Sequence, residues 1–293
     1  MIAVDWGTSN FRAYRLGAEG TILERRSSTQ GILSVENGGF AEALRAEIAD
    51  WLAHGEERIL LCGMIGSRQG WVEAPYLRCP AGVAELADSA VNVPFAGAEV
   101  LLVPGISAHD TDGVHEVMRG EETQAAALLE SGASPMLICF PGTHSKWIHL
   151  RDRRIVNFTT SMTGEVYGAL RNHTILGRTM TTENTVDNAA FLQGVARSAD
   201  SGGLLHHLFG VRTLTLMDQL KADSSASYLS GLLIGHEVRA AMPYPSAVHL
   251  VGAASLCSLY RQAIETCGAP ATVEAEDAAA RGLAVIARRL RWI

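Results

Sequence analysis

A strand-and-turn block at the N-terminus recurs near the middle of the chain. A short apolar strand leads into Gly7-Thr8 and then into two further strands, and after Pro135 the same order returns around Gly142-Thr143. Apolar residues at helical spacing follow each block. Two similar α/β units predict two lobes that face each other across a cleft, where ligands commonly bind. Two unrelated β-meanders are the alternative interpretation of this repeat.

Composition and charge narrow the class of protein. The 293 residues are 47% hydrophobic and 19% charged, which predicts a substantial core and argues against a disordered or coiled-coil chain. The 24 Lys and Arg against 31 Asp and Glu give a formal net charge of −7. No basic run is longer than the pair Arg25-Arg26 and the tail Arg288-Arg289-Arg291. Because nucleic-acid binders normally carry a basic face, we predict no nucleic-acid partner.

The sequence also indicates where the protein works. Asp5 interrupts the apolar start that a signal peptide would need, and no apolar run approaches the roughly 20 residues of a membrane span. The five cysteines are odd in number and widely spaced, which is typical of reduced thiols. We therefore predict a cytoplasmic protein with no membrane partner, and the sequence leaves a homodimer open.

The pattern of elements suggests the lobe boundaries. Residues 2–5, 11–16, 58–64 and 136–140 have the composition of buried strands, and residues 65–80 have that of a long loop. We expect an N-terminal lobe over residues 1–132 and a C-terminal lobe over residues 133–293. The junction is expected near residues 131–135, where Ser, Gly and Pro cluster, and the final helix is expected to pack back on the first lobe.

The first turn has the chemistry of a phosphate site. Gly7 permits close backbone approach, and Thr8, Ser9 and Asn10 add polar groups beside the backbone N–H donors. Asp5, at the end of the strand, is a candidate ligand for Mg²⁺, which keeps most of its water and takes few protein carboxylates. A plain hairpin is the alternative interpretation of this turn.

The second turn repeats this chemistry and adds a cation. It places Gly142, Thr143 and Ser145 beside Lys146, so two such turns could hold one polyphosphate chain. The sequence lacks the Gly-x-x-x-x-Gly-Lys-Ser/Thr run of a P-loop and the Gly-x-Gly-x-x-Gly of a Rossmann domain. The sequence therefore excludes a P-loop NTPase and disfavours a dinucleotide-binding Rossmann domain.

Six segments together resemble one known group of proteins. They are DWGTSNFR at 5–12, GMIGSR at 63–68, MRGEETQ at 118–124, FPGTHSKW at 140–147, MTGE at 162–165 and LSGLLIG at 229–235. In this order they are similar to the actin–hexokinase–Hsp70 ATPase superfamily, and more closely to its sugar-acid kinases that act on 2-dehydro-3-deoxygalactonate. The resemblance implies an α/β fold of two ribonuclease-H-like lobes, with mixed sheets facing a central cleft and ATP between the lobes.

The resemblance also implies roles for the turns. Gly7 to Ser9 correspond to the first phosphate motif of the superfamily, and Gly142 to Lys146 to the second. Gly252 and Ala253 fall in the adenosine motif, where a small-residue turn lets the nucleoside lie against the backbone. Many members have a second glycine where Ala253 stands, which weakens the expected packing of the adenine.

The loop after Gly63 falls where related sugar kinases bind their substrate. Arg68 is a candidate for a bidentate contact to a carboxylate, and a surface arginine is the alternative interpretation. Ser67 and Gln69 are candidates for hydroxyl contacts. Trp71 or Tyr76 is a candidate for stacking on the sugar, although Trp71 would serve equally well as a core aromatic.

A catalytic base is expected among three carboxylates. Glu121 opens a helix at the place where distant relatives carry a functional glutamate, and Asp112 and Glu165 are its competitors. Acidic residues at a helix N-terminus also simply complement the helix dipole, which is the alternative for Glu121 and its neighbour Glu122.

These features predict an ATP- and Mg²⁺-dependent kinase whose small-molecule substrate is a sugar acid. By resemblance it phosphorylates the 6-hydroxyl of 2-dehydro-3-deoxy-D-galactonate in galactonate catabolism and releases ADP. A kinase of another sugar or sugar acid, such as the gluconate epimer, or a phosphohydrolase on the same scaffold, is the second hypothesis. A non-catalytic nucleotide-binding regulator or filament protein is the third, since one fold serves several functions.

Overall fold

The structure is a computed structural model, and it describes residues 1–130, 136–181, 186–242, 246–274 and 277–293. Contacts divide the chain into two compact units. The first comprises Met1–Pro135, Ile148–Phe158 and Asp277–Ile293, and the second comprises Met136–Trp147 and Thr159–Glu276. The junction predicted at residues 131–135 lies outside the described residues. Among the helices in the described part of the chain, none is long and apolar enough to cross a membrane.

A six-stranded mixed sheet forms the centre of the first unit. All five residues of β1 (Ile2–Trp6) are buried, as its apolar run predicts. This strand runs antiparallel to β2 (Phe11–Leu16) and parallel to β4 (Arg58–Cys62), which places it in the middle of the sheet. The order across the sheet is β3 (Ile22–Ser28), β2, β1, β4, β7 (Glu99–Leu102) and β6 (Val91–Asn92).

The helices of the first unit come from both ends of the chain. Apolar residues at helical spacing in α1 (Phe40–Ala53) pack into the core of the sheet. The final helix, α9 (Ala278–Arg289), packs against α3 (Glu121–Leu129) and β1 and also contacts α2 (Val83–Asp88). At its start, Asp277 forms an ion pair with Arg25 of β3, with 2.9 Å between Oδ2 and Nη2. The last residues of the chain therefore complete the first unit.

A small second sheet in the first unit corrects one prediction. Residues 65–80 were expected to form a loop throughout, but they include the short strand β5 (Tyr76–Arg78). This strand pairs in parallel with β8 (Gly105–His109), which pairs antiparallel with β9 (His115–Met118). A strand of three residues is too short to show a recognisable sequence pattern. Its pairing with a strand distant in the chain defines it.

A five-stranded sheet is the main sheet of the second unit, although part of its hairpin, Ile148–Phe158, is grouped with the first unit. β10 (Met136–Phe140) is buried along its whole length and lies parallel to β13 (Val248–Leu250), which in turn lies parallel to β14 (Ala271–Val273). The hairpin of β11 (Ser145–Arg151) and β12 (Arg154–Ser161) follows β10 in the chain. The order across the sheet is β12, β11, β10, β13, β14.

Helices supply most of the apolar core of the second unit. The longest is α7 (Ser225–Ala241), which is buried on most of its surface and packs closely against α5 (Asn188–Arg197). The other helices of this unit in the described ranges are α4 (Thr163–His173), α6 (Gly203–Leu216) and α8 (Ala254–Thr266).

Candidate active site

The first predicted phosphate turn follows β1 directly. It closes through a hydrogen bond from the Gly7 N–H to the Asn10 carbonyl oxygen (2.9 Å), and it leaves Thr8, Ser9 and Asn10 exposed. Asp5 is 8% exposed, and its Oδ2 lies 3.2 Å from Nη1 of Arg12. Burial raises the pKa of the Asp5 carboxyl, while the nearby Arg12 guanidinium opposes that shift. A turn with exposed polar side chains thus lies beside a buried carboxylate.

Three chain segments converge beside Asp5. A Cβ built on Gly63, just after β4, would lie 2.8 Å from the Trp6 carbonyl oxygen and 3.1 Å from Oδ1 of Asp5. A Cβ built on Gly120, just before α3, would lie 3.5 Å from Cα of Gly63. Both glycines have positive φ angles, 91° and 113°, which disfavour any residue with a side chain. The start of the loop after β4 and the start of α3 are therefore packed onto the end of β1.

The two glutamates at the start of α3 differ in environment. Glu122 is fully buried, accepts hydrogen bonds from the Gly120 N–H (2.7 Å) and the Thr123 hydroxyl (2.9 Å), and has its pKa raised to about 8, chiefly by burial. Glu121 is half-buried, and its Oε2 accepts a hydrogen bond from the Arg119 N–H at 3.2 Å. Of this pair, Glu121 is the carboxylate that solvent or a ligand reaches.

The two competing carboxylates lie in other surroundings. Asp112 is exposed in the turn between β8 and β9, where its N–H donates to Oδ1 of Asp110 (2.9 Å). Glu165, in the first turn of α4, is half-exposed and forms an ion pair with His144. Within the first unit, Glu121 adjoins the glycines that pack against Asp5, whereas Asp112 lies on the hairpin of the other sheet.

The predicted substrate loop shows which of its side chains are available. Arg68 and Gln69 are exposed, and the Arg68 side chain is 87% exposed with Nε 3.4 Å from Oε1 of Glu73. Trp71 packs on the core of the first unit and makes an edge contact with Phe95, with ring centroids 6.2 Å apart. Tyr76 is 44% exposed. The structure therefore gives Trp71 a packing role and leaves the Tyr76 ring open to a ligand.

One residue beside this loop was not singled out from the sequence. Arg119 is 8% exposed, its guanidinium stacks on the Tyr76 ring at 4.3 Å, and its Nη2 donates to the Ala74 carbonyl oxygen at 2.7 Å. Its signal in the sequence is its place in the MRGEETQ segment at 118–124, directly before Gly120. The burial of such an arginine cannot be predicted from a local sequence pattern, because residues from other parts of the chain create its environment.

The second predicted phosphate turn divides into an exposed and a buried half. Gly142 is half-buried and Thr143 exposed, but Ser145 is fully buried, with Oγ 2.8 Å from the Tyr260 hydroxyl. Lys146 is 6% exposed and its Nζ donates to the His144 carbonyl oxygen at 3.2 Å. The Ser145 side chain thus faces the interior of the second unit and not the solvent side of the turn.

Helix α4 begins directly against this turn. A Cβ built on Gly164 would lie 2.5 Å from the Gly142 carbonyl oxygen and 2.7 Å from Cα of Thr143. The Glu165 N–H also donates to the Thr143 carbonyl oxygen at 3.1 Å. Glycine at position 164 is therefore required for the helix and the turn to come this close.

The predicted adenosine turn lies between β13 and α8 in the second unit. Gly252 and Ala253 are both exposed, and Gly252 has a φ of 154°. The N–H of Val251 donates to the Cys139 carbonyl oxygen (3.0 Å), which holds the start of the turn against β10. The turn thus presents backbone and small side chains to solvent, although Ala253 carries a methyl group.

The described residues contain no group of three or more His, Cys, Asp or Glu side chains arranged to hold a metal ion. Asp5 supplies one carboxylate next to the first turn, which suits an ion that is coordinated mainly by water and phosphate oxygens.

The chain shares its fold with solved structures of low sequence identity. It aligns with a ligand-bound structure, the activator of 2-hydroxyisocaproyl-CoA dehydratase from Clostridium difficile with ADPNP (TM-score 0.52, 11% identity, 99% of this chain and 96% of that chain). It also aligns with a Porphyromonas gingivalis protein assigned as an N-acetylglucosamine kinase (TM-score 0.50, 15% identity, 99% of both chains). The prediction of an α/β chain with mixed sheets and this fold is confirmed.

Sequence comparison then identifies the family. The profile of the 2-keto-3-deoxy-galactonokinase family matches residues 5–286, and the chain belongs to that family. It is 38% identical over 296 aligned residues to a Rhizobium meliloti (strain 1021) protein assigned as a 2-dehydro-3-deoxygalactonokinase, covering 98% of this chain and 96% of the relative. It is 36% identical to the 2-dehydro-3-deoxygalactonokinase of Escherichia coli (strain K12), covering 95% and 94%. A crystal structure of a Sinorhizobium meliloti protein assigned to the same activity aligns with a TM-score of 0.92 at 37% identity, over 99% of this chain and 98% of that chain.

Proposed function

We propose that this protein transfers the γ-phosphoryl group of ATP to the 6-hydroxyl of 2-dehydro-3-deoxy-D-galactonate, in galactonate catabolism. The observation that carries the proposal is the full-length likeness to relatives named for that activity, at 38% and 36% identity. The site of the first unit supports it, because a donor-rich turn, a buried carboxylate and an accessible glutamate adjoin one another there.

Three turns are proposed to bind ATP. Thr8, Ser9 and Asn10 are exposed around a backbone turn of the first unit, and Gly142 and Thr143 offer a similar turn in the second. Backbone N–H groups in such turns bind phosphate oxygens well. Lys146 adds positive charge behind the second turn, and Ser145 contributes through its backbone and its buried anchor on Tyr260. Gly252 and Ala253 are proposed to lie against the nucleoside.

Asp5 is proposed to hold Mg²⁺. When bound to ATP, this ion neutralises phosphate charge and helps to align the γ-phosphoryl group. The buried Asp5 carboxyl has one cationic partner, Arg12, so a second cation nearby would favour its charged form further.

Glu121 is proposed as the base. The 6-hydroxyl oxygen attacks the γ-phosphorus, the bond from that phosphorus to the β,γ-bridging oxygen breaks, and ADP leaves. The hydroxyl proton passes to a carboxylate oxygen of Glu121, which is the accessible carboxylate beside the converging glycines. Ser67, Gln69 and Tyr76 belong to the loop that starts in the same place, and we propose that this loop binds the sugar acid.

The test measures ADP release from Mg-ATP in the presence of different acceptors. The acceptors are 2-dehydro-3-deoxygalactonate, its gluconate epimer, galactonate, galactose and none. We expect release with the first compound. ADP release with another acceptor instead would mean that the kinase acts on a different substrate. Release without any acceptor would indicate a hydrolase. No release at all would contradict a kinase.

We also propose a cytoplasmic location, which the five unpaired cysteines favour. A homodimer stays a prediction, and size-exclusion chromatography with light scattering tests it.

A further inference from the structure

Arg119 is a buried cation with unsatisfied hydrogen-bond donors. Among the described residues, no acceptor lies within hydrogen-bond distance of its Nε or its Nη1, and both atoms are shielded from solvent. Its Nη2 is bonded to the Ala74 carbonyl oxygen, which is a neutral acceptor. Burying a charged group without a charged partner is costly, so a guanidinium in this state is expected to have a functional partner.

A buried hydroxyl in the adjacent loop, Ser67 Oγ, also lacks a hydrogen-bond partner among the described residues. A Cβ built on the preceding residue, Gly66, would lie 3.0 Å from Nη1 of Arg119, so the loop backbone passes close to the guanidinium at this point. Two unpaired polar side chains therefore belong to neighbouring positions of one small region.

The unpaired donors of Arg119 lie along the edges of its guanidinium. The Tyr76 ring covers the flat face, with the Arg119 Cζ 4.3 Å from the ring centroid. A guanidinium binds a carboxylate through its edge, either with Nε and one terminal nitrogen or with both terminal nitrogens. Each of these pairs includes a donor that is unpaired in Arg119.

We infer that Arg119 is the receptor for the carboxylate of the sugar acid, with Ser67 Oγ as an additional donor. This inference rests on the proposed function and specifies its substrate contact. Arg68, the candidate taken from the sequence, is 87% exposed and already paired with Glu73, so it offers a weaker, water-screened contact. Arg119 also lies next to Gly120 and Glu121, which places carboxylate recognition beside the proposed base.

The test compares the wild type, Arg119→Gln, Arg119→Lys and Arg68→Gln, with 2-dehydro-3-deoxygalactonate and its neutral methyl ester as acceptors in the Mg-ATP assay. Arg261→Gln, an exposed arginine on α8, is the matched control. We expect Arg119→Gln to raise the KM for the acid by roughly 10- to 100-fold, as for the loss of a charge-assisted contact, with little change in the KM for ATP. The wild type should prefer the acid over the ester, and Arg119→Gln should lose that preference.

The lysine variant separates charge from geometry. Arg119→Lys keeps a cation under Tyr76 but lacks the planar fork, and we expect a KM for the acid about 10-fold above that of the wild type. If Arg119→Gln does not fold, the KM of Arg119→Lys for the acid tests the inference instead. An unchanged KM in Arg119→Lys, or equal KM increases for acid and ester, would show that Arg119 only supports the loop. A larger increase in Arg68→Gln than in the Arg119 variants would assign the carboxylate to Arg68.

A failure of the proposed function is distinguishable from a failure of this inference. If the wild type releases no ADP with the acid, the proposed function is wrong, and calorimetric titration of acid and ester into wild type and the Arg119 variants still tests the receptor. Tighter binding of acid than of ester by the wild type, lost in the variants, would support it. Equal binding of acid and ester by the wild type would overturn it.

Discussion

The Tyr260 hydroxyl donates a hydrogen bond to Oε2 of Glu237, with 2.6 Å between the oxygens. Oε1 of the same carboxyl accepts from Nε1 of Trp147 at 2.8 Å, and the Tyr260 hydroxyl also contacts Oγ of Ser145 at 2.8 Å. Burial raises the pKa of the Glu237 carboxyl, because the charged form loses its hydration. A buried network from α7 and α8 thus fixes the first residues of β11, directly after the second turn.

This network predicts a large cost for a small change. Tyr260→Phe keeps the ring but removes the hydroxyl that links Ser145 and Glu237. We expect the free energy of unfolding to fall by about 1–3 kcal/mol, because buried polar groups lose a partner. Urea unfolding measures this difference. Tyr167→Phe is the matched control, since that half-buried hydroxyl only accepts a hydrogen bond from Arg171. Equal stability of the two variants would show that the network contributes nothing measurable.

The contact between α4 and the second turn predicts an effect on nucleotide binding. In Gly164→Ala the added methyl group meets the backbone of Gly142 and Thr143, which cannot rotate away, so the turn must shift. We expect the KM for ATP to rise by about 10-fold or more, as for a misplaced binding group.

Gly168→Ala is the matched control for this change. Gly168 lies in the same helix, and a Cβ there would have no atom within 4 Å. Replacing a helical glycine by alanine in open space should stabilise the protein by about 0.5–1 kcal/mol without changing the KM for ATP. A wild-type KM for ATP in Gly164→Ala would show that the contact between α4 and the turn does not affect nucleotide binding.

The sequence predicted those parts of the fold that depend on local pattern. The bounds of β2 and β10 agree with the predicted strands, because β2 ends before Gly17 and the apolar run of β10 lies between Pro135 and Pro141 in the sequence. The strand β5 was missed because its definition lies in its pairing with Gly105–His109. Family membership was predicted from motifs spread over the chain, and the comparisons confirmed it.

The environments of the candidate site residues were less predictable. A hydroxyl in a glycine-rich turn suggests a phosphate contact, but Ser145 is oriented by Tyr260, which lies 115 residues away. Arg119 is buried by a loop whose Ala74 stands 45 residues earlier. Such long-range packing sets burial and hydrogen bonding, and a local pattern does not contain it.

Glu122 predicts a pH dependence of stability. Its pKa is raised from an ordinary 4.5 to about 8 by burial, so between these values the folded protein binds more protons than the unfolded chain. The free energy of unfolding should therefore fall as the pH rises through this window, by up to about 1.4 kcal/mol per pH unit.

Urea unfolding of the wild type and Glu122→Gln at several pH values tests this sign. The glutamine keeps the shape and an acceptor but does not titrate, so its profile should be flatter. A shallower slope should persist in the variant, because burial also raises the pKa of Asp5 and of Glu237. Identical profiles for the two proteins would mean that Glu122 does not hold its proton in the folded state.

If Glu121 is the base, removal of its carboxylate should slow the chemical step. Glu121→Gln should lower kcat by about 10²- to 10⁴-fold while the KM values change little, because the amide occupies the same place but cannot accept the proton. Single-turnover rates and a pH profile of kcat/KM measure this, and the limb that reports the base should disappear in the variant. Glu116→Gln, on the neighbouring strand β9, is the matched control.

Two further variants test the competitors. Asp112→Asn changes an exposed carboxylate in the β8–β9 turn, and Glu165→Gln removes the ion pair with His144. Because Asp112 lies on the β8–β9 hairpin and Glu165 is already paired with His144, we expect smaller losses of kcat than in Glu121→Gln. A loss of kcat in Asp112→Asn or Glu165→Gln that exceeds the loss in Glu121→Gln would transfer the role of base to that residue.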